Sequence, residues 1–119
     1  MIPPLPPEGE RGTAIVTVYA TFGNEEEALR IGRMVVEEGL AACVNLLGSC
    51  HSIYRWQGEI EEADEVAALF KTAGSRAEAL VARIGELHSY AVPAAVIWPI
   101  AGGLEAYRDW VLAESKAAD

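Results

Sequence analysis

His88, Cys43 and the neighbouring Cys50 and His51 are the side chains of this 119-residue sequence best suited to holding a borderline or soft metal ion. A neutral imidazole binds copper, zinc or nickel, and a thiolate prefers copper or zinc. Each residue also has a plainer use. A histidine just after a helix caps carbonyls and suits the negative end of the dipole. Cys43 lies in the apolar run Ala41-Ala42-Cys43-Val44, the setting of a small buried hydrophobe. Cys50 and His51 are neighbours on an extended segment, so they point to opposite faces and can share an ion only at a bend or across subunits. Glu59, Glu61, Asp64 and Glu65 offer hard oxygen ligands, but Glu61 and Asp64 fall on different strand faces, and solvation explains most of them.

A second constellation is aromatic. Tyr54, Trp56 and Tyr90, with Lys71 nearby, could line a cleft for a small anion or nucleotide, or could pack in an interface between subunits, where aromatic residues are enriched. An enzyme needs a nucleophile with its base, paired carboxylates in a pocket, or a phosphate-cradling loop. Gly102-Gly103 lacks the spacing and the following lysine of such a loop and reads as punctuation before a helix. The expectation is a protein that is not an enzyme.

The elements that position these residues follow from periodicity. Thr13 to Thr21 is β-branched and reads as a strand; Asn24 with Glu27 three residues on forms a capping box, opening a helix that carries Ala28, Ile31, Val35 and Val36 and stops at Gly39. Glu25 to Glu27 sit where the helix dipole favours acids and need no metal to explain them. From Ala41 to Trp56 a long strand is broken or bulged around Leu47-Gly48-Ser49. Gln57-Gly58 turns it into a return strand, Glu59 to Lys71. Ser75 with Glu78 is a second capping box, before a helix bearing Ala77, Leu80, Val81, Ile84 and Leu87. Pro93 leads into a strand from Ala94 to Ile100, and a last helix carries Leu104, Tyr107, Trp110 and Val111.

The order β-α-β-β-α-β plus a helix predicts an α+β, ferredoxin-like sandwich with a long central β-hairpin, as one domain over residues 13–116. Right-handed crossovers put both main helices on one sheet face. Yet Val66 to Phe70 and Ala95 to Trp98 are apolar on both faces, so the second face also needs a cover, and self-association is the expected one.

Lys plus Arg number 9 against 18 Asp plus Glu, a net charge of -9 that gives nucleic acid or anionic membrane no basic footprint. Residues 1–12 hold Pro3, Pro4, Pro6 and Pro7, lack the apolar core of a signal peptide, and read as a flexible tail. No run approaches the ~20 apolar residues of a membrane span. Cys43 and Cys50, roughly 23 Å apart on an extended strand, cannot pair unless the chain folds back near Gly48, and free thiols fit a reducing, cytoplasmic location.

The sequence resembles the CutA-type divalent-cation tolerance proteins from about Ile15 to Leu112. The resemblance rests on Leu40-Ala41-Ala42-Cys43-Val44-Asn45, on Ser52-Ile53-Tyr54-Arg55-Trp56-Gln57-Gly58-Glu59-Ile60-Glu61, on Lys71-Thr72, and on His88, Tyr90 and Pro93. It implies a tight homotrimer with hairpins wrapped around adjacent subunits, copper or another divalent cation as ligand, and His88 as a metal ligand. A likeness to nitrogen-regulatory trimers implies an alternative, a signalling or scaffold module that binds a small anion or a partner protein at inter-subunit clefts. The chain departs from the family pattern at His88-Ser89-Tyr90, where His-Pro-Tyr is common, and at Ala20, where some bacterial members carry a cysteine. Cys50 and His51 are additions.

Overall fold

The computed structural model describes residues 14–116; the proline-rich segment 1–12 lies outside them. The chain runs β1 (Ile15–Phe22), α1 (Glu25–Glu37), β2 (Cys43–Trp56), β3 (Glu59–Ala73), α2 (Ala77–Leu87), β4 (Ala95–Pro99) and α3 (Glu105–Glu114). The four strands form one antiparallel sheet in the order β2-β3-β1-β4, the expected split β-α-β arrangement.

Alternation along the strands sorts the sheet into two faces. Val16, Val18, Ala20 and Phe22 of β1 and Ala68 and Phe70 of β3 point to the face covered by Ala28, Ile31 and Val35 of α1 and Leu80 and Ile84 of α2, and all are buried. The helix α1 lies so close to β2 that a Cβ on Gly32 would stand 2.9 Å from Val44 Cγ1.

The other face is open over much of its area. Tyr19 stacks on Trp98 with centroids 4.8 Å apart and planes 9° from parallel, and Val96 and Trp98 are 47% and 41% exposed. The helix α3 covers one end, where Val111 packs with Ile15 and Ala42 and Ser115 Oγ accepts from the Ala73 N–H at 3.0 Å. Only Val111 of its expected apolar stripe is buried; Leu104, Tyr107 and Trp110 face outward.

The turns show why the boundaries fall where they do. Gly39 (φ 73°) ends α1, with its own N–H and that of Leu40 returning to the Val36 and Val35 carbonyls. Gln57 (φ 50°) and Gly58 (φ 84°) both take positive φ, the type I′ geometry that matches strand twist in a two-residue hairpin. A bulge falls between Leu46 and Gly48, as expected. The second capping box does not form: Gly74–Arg76 makes a 3-10 turn first, and α2 begins at Ala77 after Arg76, with no side-chain cap.

Only Val66–Ala73 of β3 pairs with β1; Glu59–Glu65 pairs with β2 alone, so the end of the hairpin is a two-stranded ribbon beyond the sheet. Ile53 and Ile60 on it are each 67% exposed.

Candidate functional site

His88 follows the last turn of α2 and is held from every side. Its N–H donates to the Ile84 carbonyl, and its side chain is fully buried. The ring lies between Phe22, stacked at 5.0 Å, and Tyr90, tilted at 4.6 Å. Its Nε2 donates to the Thr21 carbonyl at 2.7 Å, and Nδ1 accepts from the Tyr90 N–H at 3.1 Å, a pattern that needs the Nε2-protonated tautomer.

Beside Nδ1 stands Glu27, a residue whose sequence position suggested only helix capping. Half of that capping box forms: Asn24 Oδ1 accepts from the Glu27 N–H at 2.8 Å. The Glu27 carboxylate turns inward instead of back to Asn24. Its Oε2 accepts from the Ser89 N–H at 3.2 Å, while Oε1 is buried, has no hydrogen-bond partner, and lies 3.7 Å from His88 Nδ1. Glu27 was legible only through Ser89, since a proline at that position would have no N–H to give.

Cys43 lies elsewhere. Its register partner is Lys71, whereas Thr21 pairs with Ala67, four residues along β3 and so roughly 13 Å away. The structure therefore does not bring Cys43 and His88 together. Cys43 is half-buried, with Sγ 3.5 Å from the Tyr107 hydroxyl of α3. The bond to Cys43, with burial, pushes the Tyr107 hydroxyl up to about 12. Both cysteines are free. Among the described residues, no three of His, Cys, Asp and Glu converge as a metal-holding group.

The structure gathers the aromatic residues around one cavity and leaves Lys71 outside it. A cavity of about 560 Å³ opens between the hairpin, the end of β1 and the loop after His88, lined by Tyr54, Trp56 and Tyr90 and by Thr21, Glu61 and Glu65. Lys71 is not part of it. It lies ten residues beyond Glu61 on β3, roughly 33 Å along the strand, where its Nζ donates to Asn45 Oδ1. The Tyr90 hydroxyl donates to Glu65 Oε2 at 3.0 Å, and burial, then that bond, pushes it up to about 12.

Cys50 and His51 diverge, as alternation requires. Cys50 pairs with Glu65 and His51 with Asp64, on opposite faces. His51 Nδ1 lies 2.9 Å from Asp64 Oδ1 and Nε2 lies 2.7 Å from Glu62 Oε1, so both nitrogens act as donors in the charged ring. These two bonds, Asp64 first, raise its pKa above the ordinary 6.5. A raised folded-state pKa means that the clasp stabilises the fold below about pH 6.5 and loses that contribution as pH rises through the raised value. Proton NMR should show His51 titrating above 6.5 in the native chain and falling back in Asp64→Asn; titration at or below 6.5 in the native chain would contradict the clasp.

Comparison with known proteins locates this geometry. Residues 16–114 match the family described as CutA1 divalent ion tolerance protein. The divalent-cation tolerance protein CutA of Thermus thermophilus is 46% identical over 94 residues, 79% of this chain and 91% of the relative. Protein CutA of Mus musculus is 38% identical over 109 residues, 92% of this chain but 62% of the relative, so the chain spans less than two thirds of that longer protein. The crystal structure of CutA from Xylella fastidiosa superposes with a TM-score of 0.84 at 35% identity, over 87% of this chain and 99% of that one.

Proposed function

The chain belongs to the CutA1 divalent ion tolerance protein family, and we propose that it acts in divalent-cation tolerance as a non-enzymatic, cytoplasmic homotrimer that binds copper or another divalent cation weakly at His88. The observation that carries this reading is the buried, unpartnered Oε1 of Glu27, 3.7 Å from His88 Nδ1. A buried acceptor with no donor costs about 1–3 kcal/mol, and a cation would relieve it. Two donors about 2.1 Å from one tetrahedral ion stand about 3.4 Å apart, so the pair needs only a small closure. An imidazole with a carboxylate suits zinc, copper or nickel, and Tyr90 would give up its bond to Nδ1. Two protein donors at a buried position supply only part of a coordination sphere, which accounts for weak binding. Cys43 stands outside this pair.

The trimer is supported by the uncovered face around Tyr19, Val96 and Trp98, and by the hairpin ribbon, which has no third strand to hold it.

Titration of the metal-free protein with copper and zinc against a coloured chelator tests the metal site. The expected result is saturable binding that weakens about 10–100-fold in Glu27→Gln and is unchanged in Cys43→Ser. Equal affinity in Glu27→Gln, or a loss confined to Cys43→Ser, would overturn the assignment.

A further inference from the structure

The Glu27–His88 pair is closed in this structure, and one residue closes it. A neutral imidazole with its proton on Nε2 has a single lone pair, at Nδ1, and the Tyr90 N–H already occupies it at 3.1 Å. That lone pair cannot serve an amide proton and a cation at once. Tyr90 is fixed at two further points: its ring lies against the His88 ring, centroids 4.6 Å apart, and its hydroxyl donates to Glu65 Oε2 at 3.0 Å. Glu65 stands at the root of the ribbon, next to the start of the pairing between β3 and β1, so the hydroxyl is anchored on a different segment from the loop that carries the amide. Gly23, in the turn between β1 and α1, makes room for the ring. Its φ lies outside the left-handed region, so the backbone does not call for glycine, but a Cβ there would stand 3.3 Å from the Tyr90 hydroxyl oxygen and 3.4 Å from Cε1.

We propose that Tyr90 is a latch on the Glu27–His88 pair, held shut by its hydroxyl bond to Glu65 and opened when an ion takes Nδ1. This rests on the reading of that pair as a metal site and names what regulates it. With N–H, ring and hydroxyl all fixed, the amide leaves Nδ1 only if the ring slides off His88 or the hydroxyl lets go of Glu65. The binding-competent state is therefore the minor one, and the apparent affinity is reduced by its fraction. Weak binding thus has a second source beside the incomplete coordination sphere. The latch needs no open surface, since Glu65 holds the hydroxyl from the ribbon whether or not a neighbouring subunit covers it.

Two measurements on the full chain test the latch. In the metal-free protein, hydrogen exchange of the amide at position 90 should be about tenfold faster in Tyr90→Phe and in Glu65→Ala than in the native chain. It should also be faster in Gly23→Ala, which crowds the hydroxyl from the β1–α1 turn and alters neither partner of the bond. Titration with copper against a coloured chelator should then show Tyr90→Phe binding about tenfold more tightly than the native chain, a gain that a merely structural residue would not give. Glu37→Gln, on the exposed surface of α1, should leave both readouts unchanged. Unchanged exchange in Tyr90→Phe, or saturable copper binding of native strength in it, would overturn the latch. Faster exchange with no saturable copper binding in either chain would uphold the closure and overturn the metal reading instead, so the two failures are told apart.

Discussion

Trp98→Glu should leave the protein monomeric at micromolar concentration, where the native chain should scatter light as about three subunit masses. Trp98 stands on the edge strand β4 of the open sheet face, stacked on Tyr19, with 41% of its surface exposed in the single chain. A carboxylate in its place would be stranded, unpaired, in an apolar contact. Such a charge costs about 3 kcal/mol or more, over a hundredfold in association for each interface it enters. The substitution lies at a half-exposed position on β4 and touches none of the core between sheet and helices, so the subunit itself should keep its fold. A native monomer, or a Trp98→Glu protein of native mass, would show that this face is not the interface.

His88→Ala should destabilise the protein by about 3 kcal/mol, measured by urea unfolding at fixed subunit concentration. The ring fills space between Phe22 and Tyr90. Its removal leaves a cavity, strips the Thr21 carbonyl and the Tyr90 N–H of their partners, and leaves Glu27 Oε1 facing a void. A loss under about 1 kcal/mol would mean that the surrounding loop collapses freely and that the ring is not structural. The size of this effect is also why Glu27→Gln, which keeps its shape, is the cleaner probe of metal binding.

Element order and face assignment were legible because they follow from local rules. Asn24 caps α1, Gly39 ends it, Gln57-Gly58 turns the hairpin, and the double-sided apolar strands announced an uncovered face. What was hidden lay in contacts between segments distant in sequence. Glu27 had a sufficient local explanation as a capping-box partner, which concealed a carboxylate 3.7 Å from a histidine 61 positions later. Lys71 was grouped with Tyr54 and Trp56 because a cation beside aromatic residues resembles an anion or nucleotide cleft, yet a straight strand carries it far from them. Ser75 fits the capping signature, but a 3-10 turn formed first and displaced the helix start past it.

The bulge at Leu46–Gly48 has an effect on everything downstream of it in β2. Ahead of it, odd-numbered residues, Cys43 and Asn45, share the face of Tyr19; beyond it the even-numbered ones do, Cys50, Ser52, Tyr54 and Trp56. The extra residue therefore works as a phase shift. Were the ladder to run on unbulged at the same length, with Leu47 opposite Ala67, the register would slip by one, and the ribbon would present His51, Ile53 and Arg55 to the cleft and turn its aromatics to the opposite side. Closing the bulge without removing a residue would exchange the chemistry of two surfaces with every side chain unaltered, whereas deleting Leu47 would restore a regular ladder with Cys50 still opposite Glu65; Gly48 at φ 98° is where that parity is set.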